Sequence, residues 1–125
     1  MALILVVDDD PQVRRWIQEV LESEGLEVVT AAEGRQALDR VTKRPPALVV
    51  LDVTLPGLHG ADVGKGLRAA LGREIPILVI TADGRAAEKA AQVGAFAYLR
   101  KPFTLDELLA AVERGLGDAQ KSAGV

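Results

Sequence analysis

Asp8, Asp9, Asp52, Thr81 and Lys101 each stand at or just past the end of a short apolar run. A carboxylate such as Asp52 can attack a phosphoryl group and become an acyl phosphate. Two anions must first be brought together, so such a site needs a cation. Mg²⁺ prefers oxygen ligands in octahedral geometry, usually one or two carboxylates with phosphate oxygens and waters. Asp8 or Asp9 together with Asp52 supplies that set, and the backbone carbonyl of Thr54 offers one more ligand. Lys101 provides a second positive point charge for phosphoryl oxygens, and Thr81 a hydroxyl donor. Transfer then needs positioning and charge neutralisation, with little further covalent work by the protein.

Each residue taken singly has an ordinary role. Asp8 and Asp9 resemble turn acids before a helix, Asp52 loop punctuation, Thr81 a strand-end threonine and Lys101 a solvated surface charge. Asp10 is better explained as a helix cap than as a ligand. What binds the other five together is the elements that carry them.

Those elements alternate. The runs Leu3–Val7, Leu48–Leu51, Ile77–Ile80 and Phe96–Leu99 are separated by helical stretches, the pattern of buried parallel strands joined by crossover helices. Strands are expected at about 3–7, 26–30, 47–51, 75–80 and 95–99, and helices at about 11–23, 34–42, 61–71 and 85–93, with a fifth from the Thr104 capping box, whose partner is Glu107. That last helix is expected to bury Leu105, Leu108, Leu109, Val112 and Leu116. Gly64 and Gly66 make the third helix the least rigid on propensity alone. The fourth carries mostly alanine inward and should be loosely held. Five βα units with right-handed crossovers give an α/β fold, a doubly wound five-stranded parallel sheet of order 2-1-3-4-5. Ligands in such sheets bind outside the carboxyl ends of the strands, so the five residues converge on one rim.

Composition narrows the classes. The 125 residues fit one domain with a proper core. Cysteine is absent, which excludes disulfides and thiolate sites. A net charge of −3 argues against direct nucleic-acid binding. The N-terminal apolar run is too short for a membrane span and lacks the basic flank of a signal peptide, so a cytoplasmic location is expected. The domain is expected to occupy 1–117, with 118–125 a flexible polar tail.

Four blocks, Val6-Val7-Asp8-Asp9-Asp10-Pro11, Leu51-Asp52-Val53-Thr54-Leu55-Pro56-Gly57, Ile80-Thr81-Ala82 and Lys101-Pro102-Phe103, resemble the signature blocks of the receiver domain of two-component response regulators. The resemblance runs from about residue 3 to 116 and implies a flavodoxin-like (βα)5 fold. It implies Asp52 as phosphoacceptor, and a donor phosphohistidine on a histidine kinase or histidine phosphotransfer protein. An output domain or downstream protein, and a phosphorylation-dependent dimer, go with that reading. Tyr98 resembles the family's switch aromatic, which turns inward as the threonine moves toward the phosphate. Lys101-Pro102 resembles a cis peptide bond that aims the lysine inward. Thr54 and Asp83 fall at positions that flank the phosphate and tune its lifetime through water access. Ala47 stands where many receivers carry an acid, and His59 lies on a loop where an acid is common.

Two other readings compete with a non-enzymatic receiver. Asp52-Val53-Thr54 is similar to the nucleophile motif of the haloacid-dehalogenase phosphatases, Mg²⁺-dependent enzymes that form an aspartyl phosphate. That family needs a second aspartate where this chain has Thr54. A phosphate-independent interaction module would be expected to lack one of the key residues, and none is missing. A stand-alone regulator and the receiver of a larger protein read alike from these residues.

Overall fold

The computed structural model describes residues 2–53, 60–71, 75–82 and 84–124. Five strands alternate with five helices: β1 (Leu3–Val7), α1 (Pro11–Ser23), β2 (Glu27–Ala31), α2 (Gly34–Lys43), β3 (Leu48–Asp52), α3 (Gly60–Leu71), β4 (Ile77–Thr81), α4 (Ala86–Val93), β5 (Ala97–Arg100) and α5 (Leu105–Gly124). The strands form one parallel sheet of order β2-β1-β3-β4-β5. The expected doubly wound, flavodoxin-like arrangement is the one observed.

Strand periodicity explains how the sheet buries both faces. Successive side chains point to opposite sides. Leu5, Val7, Val49, Leu51, Ile77 and Val79 face Ala37 and Val41 of α2, Val63 and Leu67 of α3, and Ala90 and Val93 of α4. Ile4, Val6, Leu48, Val50, Leu78 and Ile80 face Ile17, Val20 and Leu21 of α1 and Leu108 and Val112 of α5. Two cores therefore sandwich the sheet, which is why β1, β3 and β4 are buried at every position.

Two sequence expectations shift. The later strands start one or two residues after their expected first residues: Pro76 has no amide hydrogen for the ladder, so β4 begins at Ile77 although Ile75 is buried. Leu105 is 46% exposed rather than buried; the inward line of α5 is Leu108, Val112 and Gly115, and Leu105 lies at its margin in the first turn. α5 runs from Leu105 to Gly124.

Gly66 has a packing reason. A Cβ there would stand 2.7 Å from Leu38 Cδ2 on α2, so the helix-weakening glycine lets α2 and α3 approach. Gly25 (φ +82°) and Gly94 (φ +70°) close α1 and α4 in left-handed conformations that other residues adopt only at a cost.

Candidate functional site

The carboxyl edge of β1, β3 and β4 is the point where the chain switches from building the sheet leftward to building it rightward. Asp52 and Thr81 are the last residues of β3 and β4, and Asp8 follows β1 directly. The sheet ladder continues past them: Val53 N–H donates to Ile80 O at 3.3 Å and Lys101 N–H to Thr81 O at 2.8 Å. These polar residues are thus held by backbone pairing, and Asp8, Asp52 and Thr81 are buried at 0%, 1% and 0% exposure.

Asp8 is restrained at its N–H, its carbonyl and one carboxylate oxygen. Its N–H donates to Ala31 O at 3.1 Å, its carbonyl accepts from Arg14 Nη1 at 2.8 Å, and Oδ1 accepts from Asp10 N–H at 2.8 Å. Asp10 itself accepts from the N–H groups of Gln12 at 2.9 Å and Val13 at 3.5 Å, capping α1. The turn between β1 and α1 therefore uses its three aspartates differently: Asp8 points inward, Asp9 is exposed and Asp10 starts the helix.

Lys101 closes the site from the end of β5. Its peptide bond to Pro102 is cis. Nζ donates to Asp52 Oδ2 at 3.0 Å and stands 2.8 Å from Asp8 Oδ2. The latter contact lies off the hydrogen-bonding direction, so Asp8 Oδ2 has a neighbouring charge but no directed donor. Burial pushes the Asp8 carboxyl above its ordinary range; Lys101 and the Asp10 N–H oppose this, while the charge of Asp52 adds to it. Burial pulls the Lys101 amine down, but the two carboxylates outweigh it and hold it above the usual lysine value.

Oxygen atoms of Asp8, Asp9 and Asp52 lie within 4.8 Å of one another. An all-oxygen donor set that includes a buried atom lacking a directed donor suits a hard divalent cation such as Mg²⁺. Tyr98 lies on β5 at 44% exposure. Thr54, His59 and Asp83 lie outside the described residues.

Two features escaped sequence reasoning. The bond of Arg14 to Asp8 O carries no local sequence signal. Trp16 and Phe103, 87 residues apart, bring their ring centroids to 5.8 Å. With Gln12, Val13, Lys101 and Pro102 they line a groove of about 420 Å³ beside the acids. Only the docking of α1 beside the β5–α5 turn creates it.

The model of the response regulator receiver domain matches residues 4–113. The chain belongs to this family. The receiver is 47% identical over 109 residues to the response regulator MprA of Mycolicibacterium vanbaalenii, covering 86% of this chain and 47% of that protein. It is 40% identical over 110 residues to the transcriptional regulatory protein KdpE of Mycobacterium tuberculosis, covering 88% of this chain and 49% of that one. It thus spans about half the length of these curated relatives. Among solved structures it superposes on NtrX of Brucella abortus with TM-score 0.90 at 33% identity, over 98% of this chain and 28% of that chain. The chemotaxis protein CheY4 of Vibrio cholerae gives TM-score 0.84 at 33% identity, with 93% and 99% covered. Receivers are signalling modules of two-component systems. Among the described residues, no helix is long and apolar enough to cross a membrane.

Proposed function

We propose that this receiver accepts a phosphoryl group on Asp52 from a phosphohistidine donor and converts its charge into a change on the α4–β5–α5 face. The observation that carries this reading is Lys101 Nζ bridging Asp8 and Asp52 at 2.8 and 3.0 Å at the buried switch point. The Asp52 carboxylate attacks phosphorus in line. The P–O bond forms as the P–N bond of the donor breaks, and the imidazole leaves with the electron pair. Lys101 balances the incoming negative charge and the Thr81 hydroxyl donates to a phosphoryl oxygen. Asp8, Asp9 and Asp52, with the backbone carbonyl of Thr54, would hold Mg²⁺, which when bound neutralises the two approaching anions. Thr54 and Asp83 control water access and so the lifetime of the acyl phosphate.

The apolar groove of Val13, Trp16, Pro102 and Phe103 borders Lys101 and suits a helix of the donor, a histidine kinase or histidine phosphotransfer protein. The output is a population shift. Moving an equilibrium from 1:99 to 99:1 takes about 5.5 kcal/mol, and hydrogen bonds to charged groups contribute about 1.5–3 kcal/mol each. A Thr81 bond and one rearranged loop contact approach that total. The face that responds is the least packed: α4 buries only Ala86, Ala90 and Val93, and Tyr98 stands exposed beside it, free to turn inward.

The relative named as a transcriptional regulatory protein favours an output domain or downstream protein that controls transcription, with a phosphorylation-dependent dimer as one route. Residues 1–117 form the receiver unit; at a net charge of −3 for the chain it contacts proteins rather than nucleic acid. A cytoplasmic location and a non-enzymatic role follow from this reading. The test is intact mass after incubation with Mg²⁺ and acetyl phosphate. One phosphoryl adduct, lost in Asp52→Asn and on removing Mg²⁺, is expected; an adduct that persists in Asp52→Asn overturns the assignment.

A further inference from the structure

We propose that Arg14 is a positioning residue that fixes the aim of both N-terminal acids and so biases the site toward Mg²⁺ over Ca²⁺. The inference rests on the metal-binding reading above. Arg14 Nη1 donates at 2.8 Å to the carbonyl oxygen of Asp8. That carbonyl belongs to the planar peptide joining Asp8 to Asp9, so one bond restrains the rotation that sets the two carboxylates relative to each other. The other restraints on Asp8 act on different groups. Its N–H bond to Ala31 O holds the preceding peptide, and the Asp10 N–H bond to Oδ1 holds the side chain. Asp9 is exposed; its peptide to Asp10 is held through the Asp10 N–H, and its peptide to Asp8 is held to α1 through Arg14.

Arg14 is itself well anchored for this task. Its own N–H donates to Asp10 O at 3.0 Å, within the first turn of a helix whose N-cap is Asp10. The guanidinium thus reaches back from a fixed helix to the loop that precedes it. Mg²⁺ demands near-ideal octahedral placement of its ligands, whereas Ca²⁺ accepts looser and variable geometry. Locking the Asp8–Asp9 peptide therefore favours the smaller ion more than the larger.

The experiment is calorimetric titration of the whole chain with MgCl₂ and, separately, CaCl₂, for the natural protein, Arg14→Met, Arg14→Lys and Asp52→Asn. Methionine keeps the apolar stem and removes the donor; lysine keeps its donating ammonium; Arg14→Leu replaces the methionine variant if that one does not fold. Partners that orient metal ligands typically contribute 10–100-fold in affinity, and a tether on the ligand's backbone is expected to contribute about 3–10-fold. In Arg14→Met the Mg²⁺ Kd should rise by that factor, the Ca²⁺ Kd should change by less than about twofold on the same argument, and Arg14→Lys should recover most of the difference. Amide exchange at Asp10 should also quicken in Arg14→Met. An unchanged Mg²⁺/Ca²⁺ ratio in Arg14→Met, even with a lowered Tm, reduces Arg14 to a structural contact and overturns the proposal. If the natural protein binds neither ion, or Asp52→Asn binds both equally well, the metal reading itself fails and this inference falls with it.

Discussion

Asp8 and Asp52 hold the same ammonium: Lys101 Nζ lies 2.8 Å from Oδ2 of the first and 3.0 Å from Oδ2 of the second. The acids stand at the carboxyl ends of neighbouring strands of the sheet and are both essentially removed from solvent. Two buried carboxylates repel unless a cation separates them, and in the metal-free protein Lys101 is that cation. A divalent ion would compete for the same oxygens.

This competition predicts the behaviour of Lys101→Met. Breaking a buried ion pair by removing one partner typically costs about 3–5 kcal/mol, and the 20% exposure of the Lys101 side chain places this case toward the low end. Without Mg²⁺ the variant's Tm should fall. Saturating Mg²⁺ should raise it by more than it raises the natural protein. Phosphorylation by acetyl phosphate should still slow by at least about tenfold, because a charge aimed at the transferring group is lost. Thermal melts with and without MgCl₂, and timed mass spectra, check both; equal Mg²⁺-induced shifts would count against the competition.

The pH dependence has two ends. Burial raises the folded-state pKa of Asp8 above the 3.8 of a free aspartate, so the folded protein holds a proton that the unfolded chain has released. Metal-free stability attributable to Asp8 should therefore be highest below that value and fall as pH climbs through the folded pKa. Lys101 is raised above 10.5, and its contribution should persist below that value and vanish as pH rises through its folded pKa. Asp8→Asn should raise the metal-free Tm at neutral pH and abolish the Mg²⁺-dependent gain. Melting curves across pH decide; a metal-free Tm lower in Asp8→Asn would reverse the assigned sign.

α5 offers a paired test of packing against propensity. A Cβ on Gly115 would stand 2.5 Å from both Leu48 Cδ1 and Phe96 Cζ, whereas one on Gly117 meets nothing within 4 Å. Alanine in a helix gains about 1 kcal/mol over glycine, but overpacking a core costs about 1–3 kcal/mol. Gly115→Ala should therefore destabilise by up to about 2 kcal/mol, and Gly117→Ala should stabilise by up to about 1 kcal/mol. Urea midpoints for the two variants should move in opposite directions.

The proposed switch makes Thr81 and Tyr98 a pair. Thr81→Ala should still form the Asp52 adduct, because the nucleophile is untouched, yet it should lose the change in Tyr98 fluorescence that accompanies phosphorylation. Tyr98 is the only tyrosine, and selective NMR labelling of its ring separates it from Trp16. A full Tyr98 response in Thr81→Ala would detach the hydroxyl from the switch.

The sequence by itself determined the alternation of strands and helices, the strand order and the rim. Those properties follow from short-range physics: Val, Ile and Leu runs such as Leu48–Leu51 mark doubly buried strands, Asp10-Pro11 and Thr104-x-x-Glu107 mark helix starts, both seen as caps, and crossover handedness limits how strands can be ordered. Convergence of Asp8, Asp52, Thr81 and Lys101 was legible because strand ends share an edge. Tertiary structure alone decided the rest. Asp8 and Asp9 are chemically identical neighbours, yet the folded chain buries the first, held by Ala31, Asp10 and Arg14, and leaves the second exposed. Leu105 matched the apolar stripe but stands at its margin, while Gly115, silent in sequence, fills the inward position where β3 and Phe96 leave no room for a side chain. Periodicity tells which face a residue occupies; what waits opposite that face depends on contacts between segments tens of residues apart, and only the folded chain supplies them.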